Sequence, residues 1–288
     1  MLTLLAPAKL NLTLEVLAKR PDGFHEIRSV IQAINLCDSL HFQLNENIEF
    51  NCADPNWVPA ESLVSKATSL LQKTTGCPKG VTIEVNKRIP LVSGLSGDSS
   101  DAAAVLCGLN KLWGLGLPLP ELLELAAQLG SDVAFFLYGG TALVKGRGEM
   151  VTPLPPLPHM RVVLILPPVP RMPGKTERLY ASLKANRYTD GQITARFVAL
   201  LTEGREVALS MLFNVLDDVA LDNFAGLGEY REQFLKAGAQ EVHLAGSGPA
   251  LFTLVKDKVQ ANKIYRHLQQ QGLESYLTDT LDAIAKVG

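Results

Sequence analysis

The stretch Pro90-Leu91-Val92-Ser93-Gly94-Leu95-Ser96-Gly97-Asp98-Ser99-Ser100-Asp101-Ala102-Ala103 decides how this chain is read. Upstream, Val81, Ile83 and Val85 alternate with polar residues at the period of a half-buried strand. Downstream, Ala103, Leu106, Leu109 and Trp113 keep helical spacing through the run 101–114. The order is strand, glycine- and serine-rich loop over 93–100, helix N-terminus. Glycines let a backbone bend with several N–H groups turned inward, serines add hydroxyl donors, and a helix start presents unsatisfied N–H groups and a partial positive charge. Together these form a phosphate cradle. The loop lacks the glycine-lysine-serine/threonine ending of a P-loop and the spacing of a dinucleotide fingerprint. A flexible connection with Ser99 or Ser100 as helix cap fits the same letters.

Outward from the loop, the N-terminal run LNLTLEV at 10–16 alternates and reads as a strand. Lys9 and Asn11 share one of its faces, with Leu10 and Leu12 on the other; a lysine there also fits an exposed edge strand. Pro118 and Pro120 introduce a helix over ELLELAAQL that Gly130 stops, and Ser131 is placed to cap a following helix with Asp132 in its first turn. An acid at that position ordinarily complements the helix dipole. Residues 153–159 hold four prolines in seven residues, which makes them the linker and puts a domain boundary near 155. The second part reads as a strand over 161–167, several helices, strands at 241–244 and 250–255, a helix over 257–271 and a strand over 274–278, an α+β pattern. Gly246-Ser247-Gly248-Pro249 is the turn between two of these strands, where an ordinary hairpin needs no ligand.

Composition excludes several classes. Hydrophobic residues form 47% and charged residues 19% of the 288, which is an ordinary globular balance. Lys plus Arg is 27 against Asp plus Glu 29, so no global field recruits nucleic acid or an acidic membrane, and any anion must be held locally. The four cysteines are spaced too widely for a zinc or redox motif. The apolar run Leu2–Leu5 is too short for a signal peptide and no basic residue precedes it, so a cytoplasmic protein is expected.

In order and content these motifs resemble the GHMP kinase family along essentially the whole chain. Further matches are Arg20-Pro21-Asp22-Gly23-Phe24-His25-Glu26, Gly146-Arg147-Gly148-Glu149 and Phe213-Asn214. Pro7-Ala8-Lys9-Leu10-Asn11 with the loop 20–26 points to the branch whose small-molecule substrate is linked to cytidine diphosphate. The resemblance implies an α+β, two-domain fold, with a ribosomal protein S5 domain 2-like N-terminal part (1–155) and a ferredoxin-like C-terminal part (156–288), as a monomer or weak homodimer. It implies ATP as co-substrate, with Mg²⁺, and no named metal ligands. Lys9 and Asp132 match the catalytic pair: Asp132 would accept the hydroxyl proton, and Lys9 would offset charge on the transferring group. Gly94, Leu95, Ser96, Gly97, Ser99, Ser100 and Asp101 map to ATP. Asn11, Phe24, His25, Thr176, Tyr180, Gly246, Ser247 and Gly248 map to the substrate, with Phe24 and Tyr180 enclosing cytosine and His25 hydrogen-bonding it.

Three departures accompany the matches. Ser96 and Asp98 replace two glycines of the family loop, Phe24 replaces a tyrosine, and Ser62 replaces an asparagine near the adenine. A carboxylate ~4 Å from a phosphate oxygen would cost about 4 kcal/mol at an effective dielectric near 20, so Asp98 is expected to face outward or to share a magnesium ion. The glycine loops alone also fit a homoserine- or mevalonate-type kinase, or a catalytically silent nucleotide-binding regulator. Residues 20–26 speak against the first, and Lys9 with Asp132 against the second.

Overall fold

The computed structural model describes residues 1–170, 172 and 174–282. The chain opens with two long strands, β1 (Leu2–Lys19) and β2 (His25–Asn45), paired antiparallel. Next come β3 (Ile48–Cys52), α1 (Leu63–Thr75), β4 (Gly80–Asn86), α2 (Gly97–Trp113), α3 (Leu119–Leu129) and α4 (Val133–Tyr138). After β5 (Thr141–Gly146) and β6 (Met150–Pro153) the proline tract leads to β7 (Arg161–Ile165). The remainder is α5 (Lys175–Ser182), α6 (Gln192–Thr202), β8 (Phe213–Asn214), α7 (Asp217–Asn223), α8 (Leu227–Lys236), β9 (His243–Leu244), β10 (Leu251–Val255), α9 (Lys258–Gln270) and β11 (Ser275–Asp279).

Two sheets result. The first has β1 between β2 and β8, while the far edge of β2 is shared by β5 along residues 27–32 and by β4 along 39–45. The second runs β11-β7-β10-β9, which is the ferredoxin-like order 4-1-3-2 when its strands are numbered along the chain. Residues after the proline tract thus build their own sheet and also return β8 to the first.

Burial explains why β1 sits at the centre. Ala8, Leu10 and Leu12 pack in the core shared with Val162, Leu164 and Phe252 of the second sheet. Beyond the register shift between Asn11 and Thr13, Leu14 and Val16 join the core formed with the helices. Each fully buried leucine contributes roughly 1.5–3 kcal/mol. Lys9 is therefore an interior lysine, only 5% exposed, and not the edge-strand residue its position in the sequence also allowed.

Two expected boundaries move. The first helix of the loop motif starts at Gly97, four residues before Asp101, because Ser96 takes a left-handed conformation (φ 58°) and its carbonyl already accepts from Ser100 N. Neither Ser99 nor Ser100 caps it. Ser131 does not cap α4 either: Asp132 stands at the cap position without capping, its carboxylate being drawn elsewhere.

The first sheet's split edge is closed by charge. Asp38, fully buried on β2, accepts from the backbone N–H groups of Arg88 (2.5 Å) and Ile89 (2.8 Å) and from Lys87 Nζ (2.5 Å), whose ammonium also reaches Asp101 at 2.8 Å. Burial alone would push the Lys87 ammonium down, but Asp101 and Asp38 outweigh it and hold it above its ordinary value. Lys87→Met, which strands two buried carboxylates, is expected to cost about 3–5 kcal/mol in urea unfolding. The triple variant that also carries Asp38→Asn and Asp101→Asn should recover part of that loss. A Lys87→Met protein as stable as wild type would contradict the charged arrangement.

Candidate functional site

The two glycine turns meet face to face. Gly94 has φ 92°, and a Cβ there would sit 2.8 Å from Gly248 N. Gly246 has φ 56°, and a Cβ would meet Gly94 O at 2.9 Å and Lys9 Nζ at 3.2 Å. No side chain fits between them. The contact is pinned by Lys9 N donating to Leu95 O (3.1 Å) and Ala250 N to Ser93 O (3.1 Å). Asn214 on β8 holds the second turn from behind, its amide donating to Leu244 O (3.0 Å) and Gly246 O (2.8 Å).

Around this junction the side chains converge. Lys9 Nζ donates to Asn11 Oδ1 at 2.7 Å and lies 3.5 Å from Asp132 Oδ2. Asn11 donates in turn to Ser29 Oγ at 2.8 Å. The hydroxyl of Ser96 donates to Asp132 Oδ2 at 2.5 Å, so the left-handed residue that starts α2 also holds the carboxylate at the head of α4. Strand, loop and helix each supply one member of the cluster.

A cavity of about 1090 Å³ opens here. Of the residues singled out from the sequence, it is lined by Lys9, Asn11, Phe24, His25, Gly94, Ser96, Gly97, Asp98, Ser99, Asp132, Thr176, Tyr180, Gly246 and Ser247. Four lie behind the lining. Leu95 is buried in the core, Gly248 packs on Leu244, and Ser100 and Asp101 face the interior of α2, where Lys87 takes the carboxylate. Burial raises the Asp101 carboxyl against the pull of Lys87.

At the far end Arg20 gathers the loop 20–26, donating to Asp22 (3.1 Å) and Glu26 (2.7 Å), while Asp22 accepts from Phe24 N (3.1 Å). This places His25 5.2 Å from the Tyr180 ring and 6.0 Å from Tyr188. Burial lowers His25, with Lys19 adding to the effect, so its imidazole is neutral at pH 7. Burial pushes the Tyr180 phenol up, and Asp132 adds to it. Phe24 stands on the rim, half exposed, with the Arg147 guanidinium 4.9 Å from its ring centre.

Of the two courses expected of it, Asp98 takes the outward one, exposed at the edge of the cavity. Its carboxylate turns to the start of α1, accepting from Leu63 N at 3.3 Å beside the cap Ser62, whose own hydroxyl accepts from Ser65 N. Burial raises the Asp98 carboxyl, partly offset by that N–H. The same contact brings the Ser62 segment beside the glycine- and serine-rich loop.

Sequence reasoning missed Lys87, Arg147 and Lys175, all of which line the cavity. Arg147 lay within a quoted motif and Lys175 adjoins Thr176, yet only the fold shows that they face inward. Lys175 donates to the Gly248 carbonyl and lies 3.3 Å from Ser247 Oγ, while Thr176 Oγ1 is 2.8 Å from the same hydroxyl. No helix among the described residues is long and apolar enough to cross a membrane.

Comparison with known proteins adds a third line. The model of the GHMP kinases N terminal domain matches residues 62–140, and that of the GHMP kinases C terminal matches residues 199–273. The chain is 52% identical over 281 residues to the 4-diphosphocytidyl-2-C-methyl-D-erythritol kinase of Dehalococcoides mccartyi, covering 98% of this chain and 99% of the relative. With the enzyme of that name from Geobacillus kaustophilus it shares 40% over 272 residues, covering 93% of each. A crystal structure of 4-(cytidine 5'-diphospho)-2C-methyl-D-erythritol kinase superposes with a TM-score of 0.82 at 32% identity, over 97% of this chain and 99% of that one. Homoserine kinase from Cytophaga hutchinsonii, at 22% identity and a TM-score of 0.74 over 98% and 95%, shares the fold.

The Asp98 contact is testable by stability alone. Asp98→Ala removes an acceptor at a helix start and is expected to lower unfolding free energy by about 0.5–2 kcal/mol. Urea denaturation reads it. A variant of unchanged or higher stability would show that the carboxylate does not tie α1 to the loop.

Proposed function

We propose that this chain, which belongs to the GHMP kinase family, transfers the γ-phosphate of ATP to the 2-hydroxyl of 4-diphosphocytidyl-2-C-methyl-D-erythritol, a step of non-mevalonate isoprenoid precursor synthesis. The observation that carries this reading is the Lys9–Asp132 pair, 3.5 Å apart at the mouth of the glycine loop inside a cavity that ends in aromatic side chains.

The parts then have these tasks. Loop N–H groups and the N-terminus of α2 receive the triphosphate beside Gly94, Ser96, Gly97 and Ser99. Asp132 takes the proton of the acceptor hydroxyl as its oxygen bonds to the γ-phosphorus, the bridging P–O bond breaks, and ADP leaves. Lys9 offsets charge on the transferring group, and Ser96 fixes the carboxylate that receives the proton. Asn11 orients the acceptor. At the other end His25 hydrogen-bonds the cytosine, with Tyr180 and Phe24 offering ring faces to it.

Ser96 and Ser99 offer hydroxyl oxygens of the hard kind that Mg²⁺ takes. They would share an ion that arrives with ATP and neutralises phosphate charge. Among the described residues no group of three His, Cys, Asp or Glu side chains could hold a metal without it.

Two measurements test the assignment. Asp132→Asn should lower kcat by roughly 10² or more with little change in acceptor KM; near-normal turnover would remove Asp132 from the chemistry. Tyr180→Ala or Phe24→Ala should raise the KM of the cytidyl acceptor by roughly 5- to 150-fold and leave that of ATP nearly unchanged. The opposite pattern would put these rings in the nucleotide pocket.

A further inference from the structure

Lys175 is a cation that these roles leave without a task. It is the first residue of α5, buried to 8% exposure, and it lines the cavity. Its ammonium donates to two neutral acceptors, the Gly248 carbonyl and, at 3.3 Å, Ser247 Oγ. Among the described residues no carboxylate lies within ion-pair distance of it, whereas Lys9 has Asp132 at 3.5 Å. A buried ammonium with neutral partners alone is costly, and the natural complement to it is an anion brought by a ligand.

Its position along the cavity identifies that anion. Tyr180, on the same helix, stands against His25 at one end, and Lys9 with Asp132 forms the other. Lys175 and Thr176 lie at the opposite end of α5 from Tyr180, bonded to Ser247 of the second glycine turn. An acceptor reaching from the aromatic end to the reacting pair passes its midsection over them. We propose that Lys175 pairs with the diphosphate of the acceptor substrate, a charge contact added to the base and hydroxyl contacts above; the inference rests on that reading of the acceptor.

A pH signature follows. Burial, with Lys9 adding to it, brings the Lys175 ammonium down to about 8. Of the ionisable groups that line the cavity, Lys9 from β1 acts on its charge; Asp132 stands at the head of α4, Glu177 and Tyr180 share its helix, and the turn 245–249 carries no ionisable side chain. An anion binds the protonated form and raises its pKa in the complex. Affinity is therefore full below pH 8 and falls above it, by up to about tenfold per pH unit.

The test is calorimetric binding of cytidine 5′-diphosphate and of cytidine to wild type, Lys175→Met and Lys175→Gln, at pH 7 and pH 9. Wild type should bind the diphosphate more tightly than the nucleoside at pH 7 and lose part of that preference at pH 9. Both variants should lose roughly 10- to 100-fold in diphosphate affinity at pH 7, keep cytidine affinity, and show no loss of preference between the two pH values. Glutamine retains a donor for the Gly248 carbonyl, so it separates charge from packing and decides the matter if the methionine variant does not fold. An unchanged ratio of diphosphate to nucleoside affinity in the variants overturns the inference while leaving the kinase reading intact. Wild type that binds neither probe overturns the acceptor reading and this inference together.

Discussion

An ammonium in the middle of a sheet cannot be left unpaired, and most of the site follows from that constraint on Lys9. Its own strand offers Asn11, two residues along on the same face, and Asp132 must come from elsewhere. Bringing Asp132 within reach fixes where α4 begins, and Ser96 fixes the carboxylate's orientation from the loop. The strand's backbone N–H then holds the loop at Leu95. Gly94 and Gly246 remain glycine because the second turn must approach the first more closely than any Cβ allows. The partners that Lys9 requires are thus also the walls of the cavity.

Charge is arranged along that cavity in sequence. Helix N-termini and loop amides lie at one end, Lys9 and Lys175 in the middle, and a neutral His25 among aromatic rings at the other. Beneath the loop, Lys87 is shared between Asp38 and Asp101 and joins β2 to α2. That buried trio keeps Asp101 away from the cavity. Asp98, the acid least expected in a phosphate loop, is turned to the N–H of Leu63 and serves α1.

What the sequence disclosed was local. Alternation at 10–16 placed Lys9 and Asn11 on one face, and the strand-loop-helix order around 93–101 was readable because glycine and serine punctuate it. The helix start was displaced because a serine at position 96 adopts a left-handed conformation usually left to glycine. Strand β2 escaped notice since it is buried on both faces for much of its length and its apolar residues do not alternate. The Lys87 trio joins residues 49 and 14 positions apart, and Lys175 meets a turn 73 positions away, separations that carry no periodic signal. Motif likeness assigned Ser100 and Asp101 to the nucleotide, but burial in α2 gives them interior roles.

One pairing decides the proposed activity, the Lys9–Asp132 centre set against an aromatic end proposed to hold a nucleobase. The direct measurement is ATP turnover in a coupled assay with 4-diphosphocytidyl-2-C-methyl-D-erythritol, homoserine and mevalonate side by side. If the aromatic end holds the base as proposed, the cytidyl acceptor should be favoured in kcat/KM by roughly 10³ or more over the two smaller alcohols. Equal or greater turnover of homoserine or mevalonate, or none with any of the three, would contradict it.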